Sequence, residues 1–254
     1  MNSHQAVIVD QERAQGRFVF VCEHASNVFP EAWGDLGLGA DQRQAHIAWD
    51  PGALGLAWNL AKALDAPLVH APWSRLIYDL NRPPQSSGAM AERSETHEIS
   101  GNKNLSAAQR LARTKALYLP FHDRLRGVIA LRLALGLQPI LVTVHSFTPI
   151  YHGQKRAMEF GVIHDQDPRL AQALLARAKD HLGLITKLNE PYSAADEVTH
   201  TLALQATPYA IANVMLEVRN DLIATKAQQA DLSARLAPIL QDAVYDLTPS
   251  QGSH

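Results

Sequence analysis

Four short apolar runs in this chain end in residues that can do chemistry. FVFVC (18–22) is followed by Glu23 and His24, and RLIYDL (75–80) by Asn81 and Arg82. PILVTV (139–144) is followed by His145 and Ser146, and ANVML (212–216) leads into Glu217 and Arg219. In an open α/β sheet the chain leaves at the carboxyl ends of the strands, so side chains there converge on a crevice. A lone histidine at such a place is ordinarily a hydrogen-bonded core residue. Two of them beside a carboxylate meet the needs of a catalytic zinc, which takes about three His, Asp or Glu ligands and keeps one position open. His24 and His145 are the two histidines. Asp50, in HIAWDPGA, is the third candidate, with Glu23 as its competitor. Asp50 also reads as an N-cap before Pro51 at the first helical position. Glu23 should point away from His24 if the strand continues.

Glu217 ends an otherwise apolar run, where an unpaired carboxylate is costly. It reads either as the ion-pair partner of Arg219, which shares its face in a strand, or as a general base for an activated water. Arg75 and Arg82 carry guanidinium groups, which match a carboxylate in a two-pronged way. For both, the alternative is a salt bridge to Asp79 or another acid.

These residues need a scaffold. The runs at 18–22, 67–71, 75–80, 139–145, 159–164 and 212–218 are short, apolar on both faces and bounded by Pro, Gly or polar residues, which predicts buried strands. Helices are expected between them. Pro51 to Leu64 places Leu54, Ala57, Trp58 and Ala61 on one stripe. Ser106 caps a helix that runs to Gly136 with a bend near Pro120. Asp167 and Pro168 open one through His181, and an alanine-rich helix covers 224–241. Strands alternating with helices predict an α/β three-layer sandwich around a mixed, mostly parallel sheet. The chain reads as one domain over 1–254, with its core at about 18–245. The polar stretch 83–103 is expected to be an irregular active-site loop or lid.

Composition excludes several function classes. The 254 residues are 46% hydrophobic and 19% charged, with a net charge of -2, which argues against a nucleic-acid surface. The longest apolar runs are too short to span a bilayer. One cysteine, Cys22, allows no internal disulfide, and the start of the chain lacks a secretory pattern, so a cytoplasmic protein is expected. Cys22 lies in an apolar run where a thiol is inert, which disfavours a cysteine hydrolase.

Taken together, CEHAS (22–26), AWDPGA (48–53), SRLIYDLNR (74–82), VTVHSFTP (142–149), NEPYS (189–193) and LEVRND (216–221) resemble the N-formylglutamate amidohydrolase family. The resemblance runs from about Phe18 to Ile223. It implies a fold similar to the zinc exopeptidases and hydrolysis of N-formyl-L-glutamate to glutamate and formate, a late step of one histidine-degradation route. By similarity to zinc carboxypeptidases, it implies Asn81 and Arg82 for the substrate carboxylate, His145 for metal and Glu217 for catalysis. Carboxypeptidases have a Glu three residues after the first His, where this chain has Asn27, so Asp50 is favoured as second ligand with Glu23 behind it. Glu23-His24-Ala25-Ser26 also departs from the Pro-His-Ser-Gly-like segment of the formylglutamate enzymes, which marks a divergent branch.

The expectation is therefore one Zn2+ per chain held by His24, Asp50 and His145, with Glu217 as base and Arg82, Asn81 and Arg75 clamping a small N-acyl amino acid. Tyr192 and His200 are further candidate contacts. Manganese, cobalt and iron use similar ligands. The rivals are a deacylase or small peptidase with another substrate, and a binding protein that keeps the fold without catalysis.

Overall fold

The computed structural model describes residues 5–247; residues 1–4 and 248–254 of the expected domain lie outside the described residues. In chain order the strands are β1 (Ile8–Asp10), β2 (Phe18–Cys22), β3 (Leu68–His70), β4 (Arg93–Ser94), β5 (His97–Glu98), β6 (Ile140–Phe147), β7 (Ile150–Tyr151), β8 (Gln154–Lys155), β9 (Phe160–Ile163), β10 (Thr186–Leu188) and β11 (Ala212–Arg219). The helices are α1 (Ala40–Gln44), α2 (Ala53–Ala63), α3 (Ala107–Arg113), α4 (Leu119–Ala134), α5 (Arg169–His181), α6 (His200–Gln205) and α7 (Lys226–Tyr245).

Seven strands form one sheet in the order β1-β3-β2-β6-β11-β9-β10. The pairs β3–β2, β2–β6, β6–β11 and β9–β10 are parallel, and β1–β3 and β11–β9 are antiparallel. The sheet is thus mixed and mostly parallel, as expected. Alternation along each strand sends side chains to two cores. Phe18, Phe20, Val142, Val144, Leu216 and Val218 pack under α2, α5 and α7. Val19, Val21, Leu141 and Met215 face α4 and α6 on the other side. Three layers result. His145 and Glu217 share the parity of Leu141 and Met215, so they emerge on the α4 and α6 side at the strands' carboxyl ends.

Several local expectations need correction. RLIYDL is not a strand. Its residues follow turns in which the Ser74 hydroxyl accepts from Leu76 N and the Asp79 carboxylate accepts from Asn81 N, side-chain bonds that compete with any ladder. The buried stripe of α2 is Ala53, Leu56, Ala57, Leu60 and Ala61, while Trp58 is exposed. Segment 83–103 is more ordered than an irregular loop. It holds the β4–β5 hairpin, buries Met90 and Ile99, and is pinned where the buried Asn102 amide donates to Leu76 O and Ala91 O. Edge strands β1 and β10 and helices α1 and α6 were too short to stand out in the apolar pattern. The long helix from Ser106 is interrupted by a π-turn at Thr114–Tyr118, just ahead of Pro120. Among the described residues no helix is long and apolar enough to cross a membrane.

Candidate active site

Four chain segments are fastened together where the central strands end. Asp50 N donates to His24 O at 2.9 Å, the Ser146 hydroxyl donates to Pro51 O at 2.8 Å, and Ser74 and Arg75 both donate to Ala48 O. Asp50-Pro51-Gly52-Ala53 is a tight turn closed by Ala53 N to Asp50 O at 3.2 Å. Gly52 takes φ 82°, and a Cβ there would meet Ile223 O at 2.3 Å, so the turn requires glycine. Asp50 therefore does not cap α2. Its side chain is free to turn into the sheet end.

There it meets both histidines. His24 Nδ1 lies 3.2 Å from Asp50 Oδ2, His145 Nδ1 lies 3.0 Å from the same oxygen, and the two Nδ1 atoms are 3.2 Å apart. All three residues are buried. They are the one group of three or more potential metal ligands found among the described residues. Zinc bound tetrahedrally at about 2.0–2.1 Å holds its ligands roughly 3.3 Å apart, so the triangle is nearly of the size required.

The outward atoms of the ligands are also engaged. His24 Nε2 is 2.7 Å from Asp79 Oδ1. His145 Nε2 is 3.3 Å from Glu23 Oε2, off the line of a hydrogen bond. Asp50 Oδ1 accepts from Arg75 Nη1 at 3.2 Å, and Arg75 Nη2 donates to Asp79 Oδ2 at 2.5 Å. Four buried carboxylates, of Glu23, Asp50, Asp79 and Glu217, thus face one guanidinium and two imidazoles. That excess negative charge is what a divalent cation neutralises. Without one, protons take its place. Burial opposes charge on His145, yet Glu23 and Asp50 together lift it well above its ordinary value. His24 is raised as well, its burial and Arg75 outweighed by Asp79 and Asp50. The donor set fits a metal.

Glu217 stands beside this triangle. It pairs with His145 across the parallel β6–β11 ladder and with Gly161 across β9. Burial pushes its carboxyl up to about 7, with Asp50 adding to the rise and His145, His24 and Arg75 opposing it. Arg219 is not its partner, since that guanidinium binds Asp221 at 2.8 Å and Glu159 at 3.3 Å. The triangle and Glu217 line a cavity of about 450 Å³, with Arg75, Asn81, Arg82 and Tyr192 also on its wall.

Residues 16–224 match the N-formylglutamate amidohydrolase family. The chain belongs to that family. Its fold also superposes on the gene product Atu2144 from Agrobacterium tumefaciens, with TM-score 0.94 and 48% identity over 96% of this chain and 97% of the other. An N-formylglutamate amidohydrolase from Ralstonia eutropha JMP134 has the same fold, with TM-score 0.70 and 15% identity over 95% of this chain and 99% of that one. No curated protein matches the chain.

Within this amidohydrolase the expected site residues are not equally placed. Asn81 lines the cavity, but its amide donates to Val198 O and accepts from Thr201 N at 2.9 Å, so it also ties the 196–201 segment to the site. Arg82 donates to Asp196 O and lies 3.9 Å from Glu197, a loose pairing that leaves its charge available. Arg75 is committed to Asp50 and Asp79. Tyr192 accepts from Arg156 at 3.3 Å. His200 does not line the cavity; its Nε2 is 2.8 Å from the Tyr118 hydroxyl. Glu23 is not in the triangle either, because β2 ends at Cys22 and the carboxylate reaches behind His145. The sequence points to Asp79 only as a salt-bridge partner for Arg75 or Arg82. The signal for its second role, contact with His24, lies in the fold alone.

Proposed function

We propose that this chain removes the acyl group from a small N-acyl amino acid, foremost N-formyl-L-glutamate, using one zinc ion held by His24, Asp50 and His145. The observation that carries the reading is the convergence of those three ligand atoms beside Glu217, which is in register with His145 on the next strand. When bound there, zinc supplies a Lewis acid that polarises the amide carbonyl and lowers the pKa of water. Glu217 takes the proton of the attacking water and passes it to the departing amine nitrogen, so that water is added across the C–N bond and formate and glutamate leave. A carboxyl near neutrality can do both at physiological pH. Arg82 anchors the amino-acid carboxylate, with Asn81 and Tyr192 shaping the wall around it, and so places the amide against the base. A lone buried Cys22 fits a cytoplasmic enzyme.

A deacylase with a larger acyl group is the second reading. A cavity of about 450 Å³, within the range that holds drug-sized ligands, favours it. A panel of N-formyl, N-acetyl and longer N-acyl derivatives of glutamate and neutral amino acids, followed by amine release, separates the two. Preference for N-formyl-L-glutamate supports the first. Activity confined to longer acyl chains replaces it with the second, and no release from any member of the panel contradicts both.

A further inference from the structure

The two histidines of the triangle differ from ordinary buried histidines in where their second nitrogens go. His24 turns Nδ1 inward and Nε2 onto Asp79 Oδ1 at 2.7 Å. The other oxygen of Asp79 receives Arg75 Nη2 at 2.5 Å, and the other terminal nitrogen of Arg75 reaches Asp50 Oδ1 at 3.2 Å. Asp50 Oδ2 returns to His24 Nδ1 at 3.2 Å, which closes a ring of four residues through three different segments. Asp79 is itself aimed by main-chain bonds: its Oδ1 accepts from Asn81 N at 3.0 Å and its own N donates to Ala89 O at 2.8 Å.

We propose that Asp79 is a positioning residue for the metal centre: it fixes His24 as the tautomer with its proton on Nε2, so that Nδ1 binds the cation, and through Arg75 it orients Asp50. This rests on the reading that a cation occupies the triangle. The geometry carries it in two ways. A carboxylate accepts and never donates, so the Nε2 beside it must hold the proton. Arg75 cannot serve both Asp50 and Asp79 unless their facing oxygens stay one guanidinium's width apart, which couples the ligand and the tautomer. Glu23 stands behind His145 in the corresponding place, at 3.3 Å. Arg75 thereby acts chiefly inside the protein, and of the two guanidinium groups expected to hold substrate it is Arg82 that keeps charge to spare.

The test compares wild type with Asp79→Asn and Asp79→Ala, using zinc alone as probe. Zinc affinity is measured by competition with a chelator, and the His24 ring nitrogens are followed by long-range 15N NMR in zinc-loaded protein. Wild type should show His24 bound through Nδ1 with a proton on Nε2. Asp79→Ala should bind zinc on the order of 10–100-fold more weakly, the usual effect of losing such a partner. Asp79→Asn, which keeps an acceptor oxygen but not the charge, should fall between. Since the wild-type spectrum needs no variant to fold, Nε2 coordination of His24 there would overturn the inference outright. So would zinc affinity within about 3-fold of wild type in folded Asp79→Ala. If wild type binds no zinc, the metal reading falls and takes this one with it.

Discussion

Replacing Glu217 by Gln should make the metal-free protein more stable and the enzyme nearly inert. The carboxyl is buried, and its pKa rises from an ordinary 4.5 to about 7. A raised folded-state pKa means that the native protein binds more protons than the unfolded chain between those values. Its stability is then fully present below about 4.5 and is lost as pH climbs towards 7. A shift of that size corresponds to about 3 kcal/mol at pH 8 and under about 1 kcal/mol at pH 5, using 1.36 kcal/mol per pKa unit. Gln has nearly the same shape and no charge to bury. In urea titrations of chelator-treated protein, Glu217→Gln should therefore exceed wild type by about 3 kcal/mol at pH 8 and nearly match it at pH 5. Zinc-loaded variant should keep its metal and lose roughly 100-fold or more in kcat, as expected when a general base is removed. A variant no more stable than wild type at pH 8, or one that retains full turnover, would refute the reasoning.

Other consequences can be measured separately. Arg82→Ala should lower kcat/KM by about 10–100-fold for N-formyl-L-glutamate, in line with about 1.5–3 kcal/mol for a charged hydrogen bond. Turnover of an N-formyl amine without a carboxylate should barely change, and equal losses on both would deny Arg82 a carboxylate-binding role. Zinc binding should release protons, and should tighten as pH rises, because His24 and His145 are both raised above their ordinary pKa values when the cation is absent; calorimetry in buffers of different ionisation enthalpy reads this directly. Gly161→Ala should cost about 1–3 kcal/mol in denaturant unfolding, since a Cβ there would lie 2.2 Å from Glu190 O and 3.1 Å from Glu217 Cβ.

Much of this site was legible in the apolar pattern. The runs ending at Cys22, His145 and Glu217 are strands of the central sheet, and their carboxyl ends do converge. What the pattern concealed has specific causes. RLIYDL is as apolar as a strand because it is buried, but Ser74 and Asp79 bind its main chain and fold it into turns. Asp50 before Pro51 has the look of a helix cap, yet Gly52 in the left-handed region moves the start of α2 to Ala53. The choice between Asp50 and Glu23 depended on where β2 stops, a matter of one residue. Asp79 could not be joined to His24 from sequence, because 55 positions separate them and only the fold closes the gap.

The central claim is that a metal held by His24, Asp50 and His145 is needed for amide hydrolysis. Zinc should be titrated into chelator-stripped protein while formate release from N-formyl-L-glutamate is followed, with Asp50→Asn in parallel. The account predicts no activity without metal, a rise that stops at about one zinc per chain, and little or no recovery in the variant. Full activity in verifiably metal-free protein, or full recovery by Asp50→Asn at the same zinc concentration, would contradict it.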